Sequence, residues 1–186
     1  MSKNRPVLII VEDSISVLDN YFRILSNNPM LYEDIEFVFI HCLNTGVDRM
    51  HSRRGLKKNI KYLTVSADIS DNHGGDALLC RANKLLDVIR AHIKKQPGGT
   101  KPIFYFDIQL FGEKLYINVR GYKNYISVRV CNQLEQDGYK CFFYTQSAGG
   151  ISPKDFFVDT AHSVSIVDTD SSSDEETIKM FRKVLK

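Results

Sequence analysis

The chain has 186 residues, with a hydrophobic share of 43%, a charged share of 25% and a formal net charge of +3 at pH 7. Such a length and composition are typical of one globular domain with a substantial core, and so small a net charge does not by itself indicate binding to nucleic acid. No apolar run approaches the roughly 18 residues of a membrane helix, and the N-terminus lacks the longer apolar region of a signal peptide. We therefore expect a single cytoplasmic domain, residues 1–186, without membrane association.

Strands and helices alternate along the first half of the sequence. Short runs of β-forming or continuously apolar residues predict the strands, and apolar residues at helical spacing predict the helices. In chain order the predicted elements are strand Val7–Val11, helix Ser14–Asn27, strand Ile35–Ile40, strand Ile60–Ala67 and a long helix from about Gly75 to Lys95.

The same alternation continues in the second half. The predicted elements are strand Ile103–Phe106, a short extra strand or ordered loop in Gly112–Lys123, helix Asn124–Gln136, strand Cys141–Tyr144, helix Pro153–Ala161, strand Ser163–Val167 and a final helix that opens with the capping box Ser173–Glu176. This order predicts an α/β fold, a doubly wound parallel sheet of five or six strands that is covered by helices on both faces. The runs Val7–Val11 and Ile103–Phe106 are apolar at consecutive positions, so both should lie in the middle of the sheet.

Acidic residues follow the two strands that are predicted to be central. Glu12 and Asp13 end the first strand, Asp107 ends the Ile103–Phe106 strand, and Thr145 follows the next one. In a sheet of order 2-1-3-4-5 these ends meet in one crevice, the usual place of a ligand site in open α/β sheets. Carboxylates in one crevice repel each other unless a cation joins them. A hard divalent cation with oxygen ligands, Mg²⁺, is therefore expected with Glu12, Asp13 and Asp107 as ligands.

Other polar residues give weaker signals. The most basic stretch, residues 49–58, is either a solvated loop or a surface for an anionic partner; its cations are Arg49, Arg53, Arg54, Lys57 and Lys58. It has little aromatic interleaving, which does not favour nucleic acid. The four cysteines form no CxxC pair and are expected to be reduced packing residues. His41 and His162 lie beside apolar strands and are expected to pack or to form hydrogen bonds.

Several segments resemble the receiver domain of response regulators. VLIIVEDSISVLDNYFRIL resembles that family's first strand, acidic pair and helix, and FYFDIQLFG resembles its phosphoacceptor strand. LEQDGYKCFFYTQSAGG and IVDTDSSSDEETIKMFRKVL resemble the later helix, turn and strands. The resemblance implies a flavodoxin-like three-layer sandwich in which Glu12 and Asp13 hold Mg²⁺, Asp107 accepts a phosphoryl group and Thr145 bonds a phosphoryl oxygen.

The sequence departs from the family at three points. The lysine after strand five is missing, because Val167 is followed by Asp168, Thr169 and Asp170; the proline after the phosphoacceptor is also missing, and Phe111 stands near its place. An insertion around residues 42–100 separates the second strand from Asp107 and includes the Ile60–Ala67 strand. A second register places the phosphoacceptor at Asp68, although the Asp107 register leads more naturally into the Thr145 strand.

The predicted function is a stand-alone receiver-like module for signalling or interaction, rather than an enzyme, that acts through a protein partner such as a histidine kinase or an effector. Two alternatives stay open. One is a toprim-type metal-dependent nucleic-acid enzyme that uses Glu12 with the Asp-x-Asp of residues 168–170. The other is a small-molecule or nucleotide-binding α/β module, although the chain contains no GxGxxG or GxxxxGK[ST] loop.

Overall fold

Six parallel strands form the centre of the computed structural model, which describes residues 5–43, 60–66, 74–95, 101–111, 125–145, 165–168 and 173–182. For Tyr32 and for residues 74–77, 144–145 and 165–168 the description is limited to the main chain. Within these ranges the strands are β1 (Val7–Glu12), β2 (Glu36–Leu43), β3 (Ile60–Ser66), β4 (Ile103–Asp107), β5 (Lys140–Thr145) and β6 (Ser165–Asp168). The helices are α1 (Ile15–Asn27), α2 (Pro29–Asp34), α3 (Gly74–Lys94), α4 (Ile126–Gln136) and α5 (Asp174–Arg182).

The strands are arranged in the order β3-β2-β1-β4-β5-β6, and every neighbouring pair is parallel. The doubly wound parallel sheet predicted from the sequence is confirmed, with β1 and β4 side by side in its middle. The chain moves to one side of β1 through β2 and β3 and then returns to the other side through β4. The gap between β1 and β4 is therefore the topological switch point, where such sheets bind their ligands.

Alternate residues of the central strands point to opposite faces and build two apolar layers. On one face, Ile9, Val11 and Phe106 pack with residues of α3 and α4, including Leu85 and Leu134. On the other face a second set packs with α1, α2 and α5; its members include Leu8, Ile10, Phe37, Phe39, Tyr105, Leu18, Leu31 and Phe181. Burial on both faces explains why these strands are apolar at every position.

The structure differs most from the sequence expectation at three places. Strand β2 continues past Ile40 to Leu43 and includes the buried His41. The short helix α2 was not predicted; it begins at Pro29, and proline is favourable in the first turn of a helix. The last strand is Ser165–Asp168, two residues beyond the predicted start.

The region around residues 42–100 contributes a strand and a helix to the sheet layers. Strand β3 pairs with β2 and forms one edge, while α3 covers the sheet face that α4 also covers. Asp68, the basic residues of 49–58, residues 112–123 and the predicted helix 153–161 lie outside the described residues. Within the described part, α3 is the longest helix, and none of the helices has the length and apolar character needed to cross a membrane.

Candidate metal centre

A row of polar side chains crosses three neighbouring strands at their carboxyl ends, which together form what we call the carboxyl edge of the sheet. Residues two apart share a face of a strand, so His41 follows Phe39, Glu12 follows Ile10 and Asp107 follows Tyr105 on the face that carries α1. Glu12 is in register with His41, and Val11 is in register with Phe106, one residue before Asp107. The sequence thus replaces an apolar row by a polar one at the end of the central strands.

A third acid, Asp13, lies close to the two acids of this row, Glu12 and Asp107, and is the residue after β1. Ligand oxygens of Glu12, Asp13 and Asp107 all lie within 4.8 Å of one another. Glu12 is only 2% exposed, and the other two are partly buried. A buried cluster of three acids is costly in water-excluded surroundings unless protons or a cation offset the repulsion.

Main-chain N–H groups hold the Glu12 carboxylate in place. Its Oε1 accepts hydrogen bonds from the N–H of Asp13 at 3.0 Å and the N–H of Ser14 at 2.8 Å. Ser14 is also the N-cap residue of α1, so the carboxylate lies against the positive end of that helix. The turn from β1 into α1 therefore fixes one carboxylate of the cluster before any ligand binds.

The ionisation of Asp107 is strongly perturbed. Burial raises its pKa well above the ordinary value, and the negative charges of Glu12 and Asp13 raise it further. Hydrogen bonds from the main-chain N–H groups of Ile108 and Gln109 act in the opposite direction, and the Ile108 bond to Oδ1 is 2.7 Å long. Main-chain N–H groups thus orient the Asp107 carboxyl group, while the charges of Glu12 and Asp13 oppose its ionisation.

The strand beneath Asp107 is buried between helices on both faces of the sheet. Tyr105 is 1% exposed, burial raises its pKa to about 12, and its hydroxyl donates to the carbonyl of Met180 in α5. On the other side of the loop, the hydroxyl of buried Ser127 in α4 donates to the carbonyl of Ile108 at 2.6 Å. Helices on both faces therefore hold the end of β4.

His41 connects the acidic cluster to β3, the outer strand on one side of the sheet. Its Nε2 lies 3.2 Å from the main-chain oxygen of Asp13, and its Nδ1 lies 2.6 Å from the hydroxyl of Tyr62 in β3. The ring is 1% exposed. The expectation that His41 forms hydrogen bonds is therefore met, although the residue lies within a strand and not beside one.

The donor set suits a hard divalent cation. Three carboxylates provide only oxygen ligands, the type preferred by Mg²⁺ and Ca²⁺. Oxygens on opposite sides of such an ion are about 4.2 Å apart for Mg²⁺ and about 4.8 Å for Ca²⁺, the scale of the separations in this cluster. A cation would also favour the ionised form of Asp107, which the two neighbouring acids oppose.

The structure brings together the three acids that the sequence proposed as metal ligands, Glu12, Asp13 and Asp107. Thr145 ends β5, the strand next to β4, and stands one residue beyond Tyr144, the partner of Asp107. The competing acceptor Asp68, outside the described residues, follows β3 in the sequence, and β3 pairs with β2 and not with β1. His41 was noted in the sequence, but its link to Tyr62 requires the β2–β3 register, which the sequence alone does not reveal.

Comparison with known proteins gives no family. No family model and no curated protein matches the chain. Solved structures that are similar include a UDP-glucosyltransferase from Polygonum tinctorium, with 15% identity and a TM-score of 0.47 over 80% of this chain. Others are TcCGT1 in complex with UDP, with 9% identity and a TM-score of 0.49 over 76%, and UGT2 from Phytolacca americana, with 16% identity and a TM-score of 0.44 over 78%. The chain spans only 28–31% of the length of these three chains.

Proposed function

We propose that the protein is a receiver-like signalling module that binds Mg²⁺ through Glu12, Asp13 and Asp107, accepts a phosphoryl group on Asp107 and acts through a protein partner in the cytoplasm. The observation that carries this proposal is the convergence of the three carboxylates, from the ends of β1 and β4, at the switch point of a parallel sheet. The partner is a histidine kinase or an effector protein.

Each acid has a separate role in this proposal. Glu12, held by two main-chain N–H groups, and Asp13 provide most of the negative charge that binds the cation. Asp107 is the nucleophile: a carboxylate oxygen forms the new bond to phosphorus, and the donor leaves with the electron pair of the bond that breaks. The Ile108 N–H orients the Asp107 carboxylate through Oδ1. Bound Mg²⁺ would supply positive charge that offsets the charge on the phosphoryl oxygens.

The last residue of β6 limits how strongly such a group could be held. Asp168 ends β6 in register with Thr145, at the place where receiver domains carry a lysine after the strand. A phosphoryl group would therefore lack its usual second cation, and charge-assisted hydrogen bonds of that kind are among the stronger ones. We therefore propose an interaction that is largely constitutive, with phosphorylation as a weak bias. The basic residues of 49–58 are proposed as a surface for an acidic partner.

The two alternative functions receive less support from the topology. A toprim-type site requires the Asp-x-Asp of residues 168–170 beside Glu12, but β6 is separated from β1 by β4 and β5. Three strand spacings of about 4.8 Å place these strands about 14 Å apart. The sheet order is shared with dinucleotide-binding folds, yet β1 here leads into Glu12 and Asp13, which repel phosphate, and not into a glycine-rich turn.

The test is to add a beryllofluoride mimic of the phosphoryl group together with Mg²⁺ and to record amide resonances. We expect saturable shifts at Ile108 and Gln109, whose N–H groups contact Asp107, and smaller ones at Thr145. Mass spectrometry after incubation with acetyl phosphate should detect a phosphorylated form. Both effects should vanish in Asp107→Asn.

Asp87→Asn is the matched control, because it makes the same chemical change on the exposed surface of α3. It should behave as the wild type in both measurements. Wild-type protein that gives neither amide shifts nor a phosphorylated form at millimolar Mg²⁺ would eliminate Asp107 as a phosphoacceptor. Large, saturable shifts of residues 145–161 would instead show a fully working switch, against the constitutive interaction proposed.

A further inference from the structure

The hydrogen bonds of His41 determine which of its ring nitrogens carries a proton. A main-chain carbonyl can only accept a hydrogen bond, so the contact between His41 Nε2 and the Asp13 oxygen requires a proton on Nε2. In the neutral ring Nδ1 is then an acceptor, and the hydroxyl of Tyr62 donates to it at 2.6 Å. Tyr62 thereby selects the tautomer that can bond to Asp13.

Packing holds this pair of side chains firmly. His41 is buried, and its register partners are Glu12 on one side and Thr64 on the other. The Tyr62 ring packs against Phe22 of α1, with ring centroids 6.0 Å apart. Neither ring can turn away without losing apolar contacts in the layer between the sheet and α1.

The contact reaches Asp13 at the point where the chain leaves the sheet. Glu12 is the last residue of β1, so Asp13 is the first residue after the strand. Its carbonyl contacts His41 of β2, while its N–H donates to the Glu12 carboxylate. Fixing both main-chain groups restricts the directions available to the Asp13 side chain, whose carboxylate belongs to the acidic cluster.

We propose that His41 is a positioning residue that, held by Tyr62, fixes the main chain of Asp13 and keeps its carboxylate within the acidic cluster. The effect of this positioning on cation affinity rests on the proposed Mg²⁺ site. The edge strand β3, through Tyr62, is then mechanically connected to the ligand crevice although β2 and β1 lie between it and β4.

The experiment compares four variants by calorimetric titration with MgCl₂. His41→Met removes the donor but fills the space, and should raise the Kd by about 10-fold or more, the range found when a supporting shell is lost. His41→Gln keeps an N–H near the position of Nε2 and should restore the Kd to within about threefold of the wild type. Tyr62→Phe keeps the ring and should have an intermediate effect.

Phe39→Leu is the matched control. Phe39 lies two residues earlier on the same face of β2, so its truncation weakens the same layer without touching Asp13. We expect an unchanged Kd despite a lower free energy of unfolding. An unchanged Kd in His41→Met, or an equal rise in Phe39→Leu, would overturn the positioning role while leaving the cation site intact.

A measurement without metal separates this inference from the proposed function. Nitrogen resonances of His41 at pH about 8, where an ordinary imidazole is neutral, should report a proton on Nε2 and none on Nδ1. The Asp13 carbonyl and carboxyl carbon resonances should move in His41→Met but not in Phe39→Leu. If the wild type shows this pattern and binds no Mg²⁺, the cation site is wrong and the positioning of Asp13 stands. A proton on Nδ1, or unmoved Asp13 resonances, would refute the inference whatever the metal result.

Discussion

Charged residues are arranged in opposite ways at the amino ends of the strands, the amino edge of the sheet, and at their carboxyl ends, the carboxyl edge. At the amino edge, opposite charges meet: Lys61 Nζ lies 2.6 Å from Glu36 Oε1, and Arg90 lies 2.6 Å from Asp137. At the carboxyl edge, like charges meet, and the two charged groups that shift the pKa of Asp107 are both acids. At the amino edge the opposite charges are paired, whereas the carboxyl edge holds an unfavourable arrangement that a ligand could relieve.

Solvent exposure makes the contrast sharper. The side chains of the amino-edge pairs are 28–45% exposed, so water screens them and each pair contributes little to stability. Glu12 is almost fully buried, and burial is the largest cause of the raised pKa of Asp107. Electrostatic energy is therefore concentrated at the carboxyl edge, which is the reason to look there for function.

Removal of two carboxylates should have the largest effect. Asp13→Asn with Asp107→Asn is expected to abolish Mg²⁺ binding, because Glu12 alone cannot hold the ion at millimolar concentration. The fold should survive, and the free energy of unfolding without metal should be unchanged or raised by about 1 kcal/mol, since like-charge repulsion is relieved. Calorimetric titration and urea denaturation measure the two quantities.

The control for charge removal is Asp34→Asn with Asp87→Asn, the same two substitutions at exposed positions of α2 and α3. It should bind Mg²⁺ as the wild type does. If the wild type itself binds no Mg²⁺ at millimolar concentration, the relief of repulsion has another source. If the double variant of the cluster unfolds, the acids are structural and the contrast between the edges disappears.

The central strands could be predicted because their physical requirement is simple. Val7–Val11 and Ile103–Phe106 are apolar at every position, a pattern that fits only strands buried on both faces, and β1 and β4 fulfil it in the middle of the sheet. Once these two strands are neighbours, the acids at their ends must converge. The candidate site followed from topology and needed no knowledge of side-chain contacts.

Features that depend on pairing partners were harder to predict. His41 looked like the end of the second strand, because a histidine interrupts the apolar pattern. It can be buried inside β2 only because both ring nitrogens have partners, Tyr62 and the main chain of Asp13. Those partners come from β3 and from the end of β1, and their proximity depends on strand order and register, which local sequence patterns do not encode.

An effect of intermediate size is expected in the pH dependence of the free energy of unfolding, which should report the repulsion between Asp107 and its acidic neighbours. Since the pKa of Asp107 is raised in the folded protein, folded Asp107 holds a proton that the unfolded chain releases. Its contribution to stability is complete below the unfolded pKa, near 3.8, and is lost as pH rises through the folded pKa. The free energy of unfolding of the wild type should therefore fall relative to Asp107→Asn as pH rises from about 4, with a slope of at most about 1.4 kcal/mol per pH unit.

Urea denaturation of both proteins in chelator across this pH range measures that difference. Millimolar Mg²⁺ should restore the wild type at high pH and leave Asp107→Asn nearly unchanged, because a cation replaces the proton. A wild-type stability that runs parallel to that of Asp107→Asn at all pH values would mean that Asp107 is not perturbed by its neighbours.

The smallest effect is expected at the amino edge, from a double-mutant cycle on Lys61 and Glu36 with Lys61→Met and Glu36→Gln. Both side chains are largely or partly exposed, so we expect a coupling energy of about 0.2–1 kcal/mol, lower still in 1 M NaCl, where the screening length is about 3 Å. The cycle should be measured at pH 8, because the pKa of nearby His92 is lowered, by burial first and by Lys61 next, and the ring is then neutral. Mg²⁺ affinity should be the same in all four proteins of the double-mutant cycle.

A coupling energy well above 1 kcal/mol, or a change in Mg²⁺ affinity, would show that the amino and carboxyl edges are not electrostatically independent.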